Sequence, residues 1–388
     1  MTEPLRIFDD VERTDSAPAY DTEDSFTFLN RVARPSWARV RELTERWFAD
    51  YPASDQSDLR SRFWKPDAAQ HYGAGWELYV YTLYRSLGYE VTVHPTLPDT
   101  KRKPDFLVTR DGISSYVECV VFLAAGGSGS GQRSWIFECT NKARDPNFVV
   151  NIEVRRDGSE RPKAAEIIRP LEKWLSSLDP DELQRRIDTG QAPPYLKLDV
   201  RGWSIEYDAW PVRPECRGAG GRLIGAYPMV LGVGDDEVRL REIVKYKGAR
   251  YGSPDKPLVI AVLNTSGFTD ERDMTEALFG TEAVEYIPGQ RDSIRTVRQR
   301  DGYWRQGPNN RGTRVAAVLL GQNISPWHIT HALPELWLNP WADRPLIDTP
   351  PFATRTAHDT GQVYLLREAT APPSAVFGLD PEWPHFDR

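Results

Sequence analysis

The sequence predicts an α/β protein built from two α/β units. Apolar residues recur at helical spacing from residue 76 to residue 87, and three β-like runs follow them. A second alternation of strand and helix patterns begins after residue 194. The chain has 388 residues, a length at which proteins commonly divide into two or more domains.

Composition and charge exclude some classes of protein. With 40% hydrophobic and 27% charged residues, the chain is not globally disordered. The net charge of −7 argues against a protein that binds nucleic acid over its whole surface. However, residues 1–24 alone carry a net charge of −6, and we expect them to form a mobile acidic tail. The remainder is nearly neutral, so charge does not exclude a nucleic-acid partner.

Cysteine content and hydropathy indicate a cytoplasmic protein. The three cysteines are an odd number without CxxC spacing, which argues against a disulfide framework and a zinc site. The sequence has neither a signal-peptide pattern at its acidic start nor an apolar stretch of the roughly 20 residues that span a membrane. We therefore expect a cytoplasmic location and no membrane partner, and a homo-oligomer stays open.

A helical segment precedes the first α/β unit. Residues 25–65 are expected to be a helical extension, because apolar residues recur at helical steps between Pro35 and the Tyr51-Pro52 stop. Residues 66–180 form the first unit. Its helix ends at Gly88, and its remaining predicted elements are strands at 89–94, 106–109 and 116–122, a helix at 134–144, a strand at 148–154 and a helix at 164–178.

The second α/β unit is expected at residues 195–342. Its pattern predicts strands at 203–210, 258–263, 315–320 and 334–338, with helices at 235–251 and 271–279. The last segment, 343–388, is rich in Pro and Thr and is predicted to be irregular.

Three acids in the first unit form the strongest candidate site. Glu77 lies on the predicted helix, Asp105 opens one strand of a hairpin, and Glu118 lies in the partner strand. The hairpin places Asp105 and Glu118 at one end of the sheet, within reach of Glu77. Carboxylates so placed repel one another unless a hard divalent cation lies between them. We therefore expect a Mg²⁺ or Mn²⁺ site.

This arrangement over residues 70–155 resembles the PD-(D/E)XK nuclease superfamily, the restriction-endonuclease-like fold. The resemblance rests on Glu77, the pair Pro104-Asp105 and the strand acid Glu118. It implies a restriction-endonuclease-like αβββαβ core, an N-terminal helical extension and a second C-terminal α/β domain. It also implies metal-dependent hydrolysis of DNA, with Asp105 and Glu118 as metal ligands and Glu77 as an accessory acid.

One position departs from the family pattern. The motif places a lysine two residues after the glutamate, where this sequence has Val120. Valine cannot orient a water molecule or offset negative charge as an ammonium group does. Some members supply the cation from the following helix, which makes Lys142 the candidate here, ahead of Arg133 and Arg144. Alternatively, Lys142 pairs with Glu138 at i, i+4 on a solvated helix face.

Basic residues near the acids could contact a phosphate backbone. Lys101, Arg102 and Lys103 directly precede Pro104. A second basic segment contains Arg305 and Arg311, together with the aromatic residues Tyr303 and Trp304 that could stack on bases. The alternative for this segment is a solvated basic loop.

Three hypotheses follow from the sequence. The first is a metal-dependent nuclease that hydrolyses phosphodiester bonds in DNA. The second, motivated by Val120, is a catalytically degenerate nuclease fold that acts as a nucleic-acid-binding or assembly module. The third is an unrelated α/β protein in which the three acids lie far apart.

Overall fold

A computed structural model describes residues 4–98, 100–123, 130–218, 222–226, 236–265, 271–287, 290–305, 310–358 and 362–386. Contacts divide the chain into two units. The first unit comprises Met1–Ala17, Asp24–Ala125 and Gly232–Arg388, and the second comprises Pro18–Glu23 and Gly126–Leu231. Within the described ranges, no helix is long and apolar enough to cross a membrane.

The described elements make a mixed α/β protein, as the sequence predicts. The helices are α1 (Ser25–Arg31), α2 (Pro35–Asp50), α3 (Gln56–Phe63), α4 (Ala68–Ser86), α5 (Ser130–Lys142), α6 (Ala164–Leu175), α7 (Pro180–Asp188), α8 (Asp236–Gly248), α9 (Glu271–Phe279) and α10 (Pro373–Phe377). The strands are β1 (Glu90–Val93), β2 (Phe106–Arg110), β3 (Ile113–Phe122), β4 (Phe148–Arg156), β5 (Tyr195–Val200), β6 (Trp203–Pro211), β7 (Ile224–Ala226), β8 (Leu258–Asn264), β9 (Glu282–Ile287), β10 (Gln290–Arg298), β11 (Val315–Gln322), β12 (Glu335–Leu338), β13 (Thr354–Ala357) and β14 (Val363–Arg367).

The first unit contains a sheet of eight strands in the order β1-β2-β3-β8-β11-β12-β13-β14. The strands β1, β2 and β3 are antiparallel neighbours, whereas β3, β8 and β11 run parallel. All seven residues of β8 are buried. Such continuous burial is typical of a parallel strand covered on both faces of its sheet.

Helices cover both faces of this sheet. The core that contains α4 includes Val117 and Cys119 of β3. The core that contains α8 and α9 includes Tyr116 and Phe122. Because side chains alternate along a strand, Glu118 lies on the same face of β3 as Tyr116 and Phe122. The side chain of Glu118 is therefore on the side of α8.

The helix and hairpin that lead to this site form where the sequence predicts them. Asp67 caps α4 by accepting a hydrogen bond from the backbone N–H of Gln70 at 2.9 Å. After the helix, Gly88 has a φ of 82°, which favours glycine. The turn between β2 and β3 uses Asp111 and Gly112, both with positive φ, as in the two-residue turns that suit the twist of a hairpin.

The second unit contains a separate four-stranded sheet in the order β5-β6-β4-β7. The helices α5, α6 and α7 accompany it, and its core includes Ile136, Ile152, Leu171 and Trp203. The prediction that α5 and β4 complete the sheet of β1–β3 is therefore wrong. Strand β4 pairs with β6 in the second unit, whereas β3 pairs with the apolar strand β8. Within the first unit, the elements that follow β3 are therefore α8 and β8.

The N-terminal segment is packed rather than free over residues 4–17. Ile7 and Phe8 are buried in the core of the first unit, and their backbone N–H groups donate to the Glu45 carboxylate at 3.2 and 2.7 Å. Arg13 donates to the backbone carbonyl of Asn30. The prediction of a mobile tail is wrong here because two apolar residues within the acidic segment anchor it to α2.

The flanking segments show one agreement and one correction. The helical extension at 25–65 contains α1, α2 and α3. The C-terminal segment at 343–388 is not irregular throughout, because it contains β13, β14 and α10. The strand β13 joins the large sheet beside β12, and the buried Phe352 precedes it.

Candidate active site around Glu118

Asp105 and Glu118 are neighbours across the β2–β3 hairpin. Phe106 pairs with Val117 in this antiparallel ladder. Asp105 precedes Phe106 and Glu118 follows Val117, so the two acids stand opposite each other at one end of the hairpin. The Oδ2 atom of Asp105 also accepts a hydrogen bond from the backbone N–H of Cys119 at 2.6 Å. The structure brings these two carboxylates together, as their spacing predicts.

Glu118 is surrounded by donors from the segment that ends α8. Its side chain is only 2% exposed. The Lys247 ammonium lies 2.6 Å from Oε1, and a guanidinium nitrogen of Arg250 lies 3.2 Å from the same oxygen. The Tyr251 hydroxyl donates to Oε2. A carboxylate inside an apolar sheet requires such partners, and here two cations and a hydroxyl provide them.

Lys247 also contacts the backbone of β3. Its ammonium lies 3.3 Å from the carbonyl oxygen of Cys119, next to Glu118 in the chain. The helix that carries it is anchored by Leu240, Val244 and Gly248, which are all buried. A Cβ atom at Gly248 would lie 2.3 Å from the Tyr303 hydroxyl, so the close packing of α8 requires glycine there.

The pKa of Asp105 is raised well above its usual value. Burial is the largest cause, followed by the negative charges of Glu118 and Glu77. The hydrogen bond from Cys119 opposes the shift without cancelling it. Because like charges raise this pKa, Asp105 lies within electrostatic reach of both Glu118 and Glu77. Burial and the two neighbouring carboxylates therefore shift Asp105 toward its protonated form, and the nearby charge of Lys247 opposes this shift.

Glu77 is held by a different partner. Both carboxylate oxygens of Glu77 accept from Arg62 of α3, at 2.6 Å each. This forked geometry is the strongest kind of arginine–carboxylate pair. Arg62 also contacts the exposed Asp58 at 2.9 Å. The charge of Glu77 therefore acts on Asp105, although Arg62 forms an ion pair with Glu77.

Lys142 lies in the second unit, at the end of α5. Its ammonium pairs with Glu138 of the same helix at 3.0 Å. This is the i, i+4 pair that the sequence offers as the alternative, but its Glu138 side chain is only 8% exposed rather than on a solvated face. Arg133 pairs with Asp157 at 2.6 Å in the same unit. The cation beside Glu118 is Lys247 instead.

The sequence pattern contains a signal for Lys247. The segment 235–251 is recognisable as a basic helix, and 258–263 as a buried strand. The sequence pattern does not show that this buried strand pairs in parallel with β3. That pairing brings the helix that precedes the strand onto the Glu118 face of the sheet. The signal for this parallel pairing is the presence of two apolar strands of similar length, separated by an inserted unit.

The basic loop before Asp105 lies beside this site. Lys101, Arg102 and Lys103 are exposed. The Arg102 guanidinium donates to the backbone carbonyl of Arg250 at 3.1 Å. The Tyr251 hydroxyl lies 3.3 Å from the carbonyl oxygen of Lys103. The three predicted phosphate-binding residues therefore border the segment that contacts Glu118.

The second basic segment does not present its aromatic residues. Arg305 and Arg311 face each other in an isolated β-bridge, with backbone hydrogen bonds of 3.1 and 3.2 Å. Trp304 is only 1% exposed, and Tyr303 packs against Gly248 of α8. The expectation that Trp304 stacks on bases is wrong, because its ring fills the core beside α8 and α9, and the partly buried Tyr303 packs against that core.

The oxygen atoms that could contribute to a cation site are those of the Asp105 and Glu118 carboxylates and the Cys119 carbonyl. Within the described ranges, no three or more His, Cys, Asp and Glu side chains are grouped to hold a metal ion. Mg²⁺ commonly binds through one or two carboxylates while keeping several waters. A cation on Glu118 would replace contacts that Lys247, Arg250 and Tyr251 make with this carboxylate.

Comparisons with known proteins found no relative. No family model matches the chain, and neither the curated proteins nor the solved structures contain a significant match. The site is therefore interpreted from its own geometry.

Proposed function

We propose that this protein is a divalent-metal-dependent nuclease that hydrolyses the phosphodiester bonds of DNA. The observation that carries the proposal is the contact of Lys247 with Glu118, at 2.6 Å. An ammonium group beside the strand acid supplies the charge that Val120 cannot. It comes from the helix after β3 in the first unit.

The order of elements around the site supports this proposal. In the first unit α4, β1, β2, β3, α8 and β8 follow one another once the second unit is set aside. This order has the αβββαβ pattern that the resemblance implies. The last helix and strand of the pattern differ from those expected at 134–154. The proposed restriction-endonuclease-like core is thus interrupted by residues 126–231.

The residues of the site have separate proposed roles. Asp105, Glu118 and the carbonyl of Cys119 would hold the cation. A bound Mg²⁺ or Mn²⁺ would supply Lewis-acid stabilisation of charge on the phosphate. Lys247 places a positive charge next to the same carboxylate, where it can orient water or offset charge on a phosphate oxygen. Arg62 holds Glu77 as a positioning residue.

A cleavage assay with matched variants tests the proposal. Supercoiled plasmid and labelled single- and double-stranded oligonucleotides are incubated with the full chain and Mg²⁺ or Mn²⁺. We expect cleavage that is lost in Asp105→Asn and Lys247→Met and retained in Lys142→Met. Equal cleavage by the wild type and Asp105→Asn would contradict the proposed site.

A degenerate binding module is the second candidate function. The observation that favours it is the full set of partners on Glu118, where Lys247, Arg250 and Tyr251 already satisfy the carboxylate. This module would bind DNA without cleaving it. Its melting temperature would not rise with Mg²⁺ or Mn²⁺, because a ligand stabilises a protein only when it binds the folded state.

A further inference from the structure

Tyr246 is an exposed aromatic residue on the helix that carries Lys247. Its side chain is 71% exposed. Among the described residues, the side chain of Tyr246 makes no ring contact and no hydrogen bond. The buried stripe of α8 is formed by Leu240, Val244 and Gly248, and helical geometry places Tyr246 on the opposite side. Packing therefore does not account for an aromatic ring at this position.

Arg250 lies on the same side of this segment as Tyr246. The backbone N–H of Arg250 bonds to the carbonyl of Lys247, which continues the turn beyond the end of α8 at Gly248. The guanidinium of Arg250 also lies 6.0 Å from the centre of the Tyr251 ring. The side chain of Arg250 is 39% exposed, and its guanidinium contacts Glu118 at 3.2 Å. An exposed ring and a half-exposed cation thus lie on one short segment, which borders the candidate site.

The site has an excess of positive charge, which favours binding of an anion. Glu118 already has a close ion pair with Lys247 at 2.6 Å. Arg250 adds a second positive charge on the same carboxylate, and the exposed Lys101, Arg102 and Lys103 lie nearby. Asp105 and Glu118 together carry at most two negative charges, against these five cations. A guanidinium with spare donors in this setting is suited to a phosphate group.

We infer that the site takes a single DNA strand, with a phosphate on Arg250 and an unpaired base stacked on Tyr246. The inference deepens the proposed function and rests on it only for the presence of nucleic acid at this site. A base inside a duplex is stacked between its neighbours and does not offer a free face to a side chain. In a single strand every base has a free face, and aromatic rings bind it without regard to sequence.

Binding of labelled DNA without divalent metal tests the inference directly. Fluorescence anisotropy is measured in EDTA with the full chain, for one single-stranded oligonucleotide and for its duplex. The variants are Tyr246→Ala, Tyr246→Phe and Arg250→Gln. The matched control is Lys245→Gln, because Lys245 is an exposed neighbour on α8 that pairs with Glu242 at 2.9 Å.

We expect Tyr246→Ala to weaken single-strand binding about tenfold, since stacking on one base is worth roughly 1–3 kcal/mol. Tyr246→Phe keeps the ring and should bind as the wild type does. Arg250→Gln should weaken binding and lower its salt dependence, whereas Lys245→Gln should have a smaller effect. The duplex should bind more weakly than the single strand and lose little with Tyr246→Ala.

Three results would overturn the inference in distinguishable ways. If DNA binds but Tyr246→Ala leaves the single-strand affinity unchanged, the stacking role is wrong while the proposed function stands. If neither form of DNA binds in EDTA and neither is cleaved in Mg²⁺ or Mn²⁺, the proposed function fails as well. Preference for the duplex, with equal losses in both forms, would also contradict a single-strand site.

Discussion

The Lys247 ammonium lies 2.6 Å from Oε1 of Glu118, although the two residues are 129 positions apart in the sequence. Most of this separation is the second unit, which occupies residues 126–231 between β3 and α8. The parallel pairing of β3 with β8 closes the gap, because it brings the helix that precedes β8 onto the Glu118 face of the sheet.

Removal of Glu118 should destabilise the protein. In Glu118→Leu, the Lys247 ammonium, whose side chain is 17% exposed, loses its closest anion. Loss of one partner of a buried pair costs about 3–5 kcal/mol. We expect the double variant Glu118→Leu/Lys247→Met to recover part of this loss in the free energy of unfolding, measured by urea denaturation. Strictly additive effects of the two changes would show that the pair does not interact.

Substitution of Gly248 should disturb the contact between Lys247 and Glu118 indirectly, through the packing of α8. A Cβ atom there would lie 2.3 Å from the Tyr303 hydroxyl and 2.6 Å from Val315. We expect Gly248→Ala to cost about 1–3 kcal/mol of stability through overpacking, and to lower activity by shifting α8. Gly73→Ala is the control, because no atom lies within 4 Å of a Cβ atom at that position in α4. A stable, fully active Gly248→Ala variant would argue against this packing.

The forked pair between Arg62 and Glu77 should contribute more stability than its exposed neighbour. In Arg62→Met the Glu77 carboxylate, whose side chain is 11% exposed, loses both hydrogen bonds. We expect a loss of about 3 kcal/mol. In Asp58→Asn, Arg62 loses only an exposed partner, and about 1 kcal/mol or less is expected. Equal losses in thermal or chemical denaturation would contradict this ranking.

His71 should add a pH dependence to stability. Burial lowers the pKa of His71, and the hydrogen bond between Nδ1 and the Phe63 carbonyl opposes that shift. The unfolded chain therefore binds a proton at a higher pH than the fold does. The resulting stability is fully present above about pH 6.5 and decreases as the pH falls below it.

The measurement is the free energy of unfolding as a function of pH. We expect His71→Gln to flatten the decrease below about pH 6.5, and the exposed control His385→Gln to leave it in place. An unchanged slope in His71→Gln would contradict the assignment.

Local patterns predicted most of the elements near the site. The helical spacing up to Leu87, the Asp111-Gly112 turn and the apolar strand 116–122 each encode a local structure, and each appears close to its expected position. The juxtaposition of Asp105 and Glu118 also follows from a hairpin, which is a local element.

Long-range pairing could not be read from the same patterns. Helix α5 and strand β4 follow β3 directly in the sequence, and nothing local distinguishes them from α8 and β8. The choice depends on which strand pairs with β3, and that pairing crosses an insertion of about a hundred residues. The local pattern therefore points to Lys142, whereas the lysine that contacts Glu118 is Lys247.

The central claim is that Lys247 supplies the positive charge of the nuclease site. Moving that lysine to another position tests this claim most directly. Lys247→Met should abolish DNA cleavage in Mg²⁺ or Mn²⁺, whereas Lys142→Met should not. Val120 lies two residues after Glu118 on the same strand face, so Val120→Lys in the Lys247→Met background returns an ammonium group to the site. We predict that this double variant recovers cleavage. Wild-type cleavage by Lys247→Met alone would contradict the account.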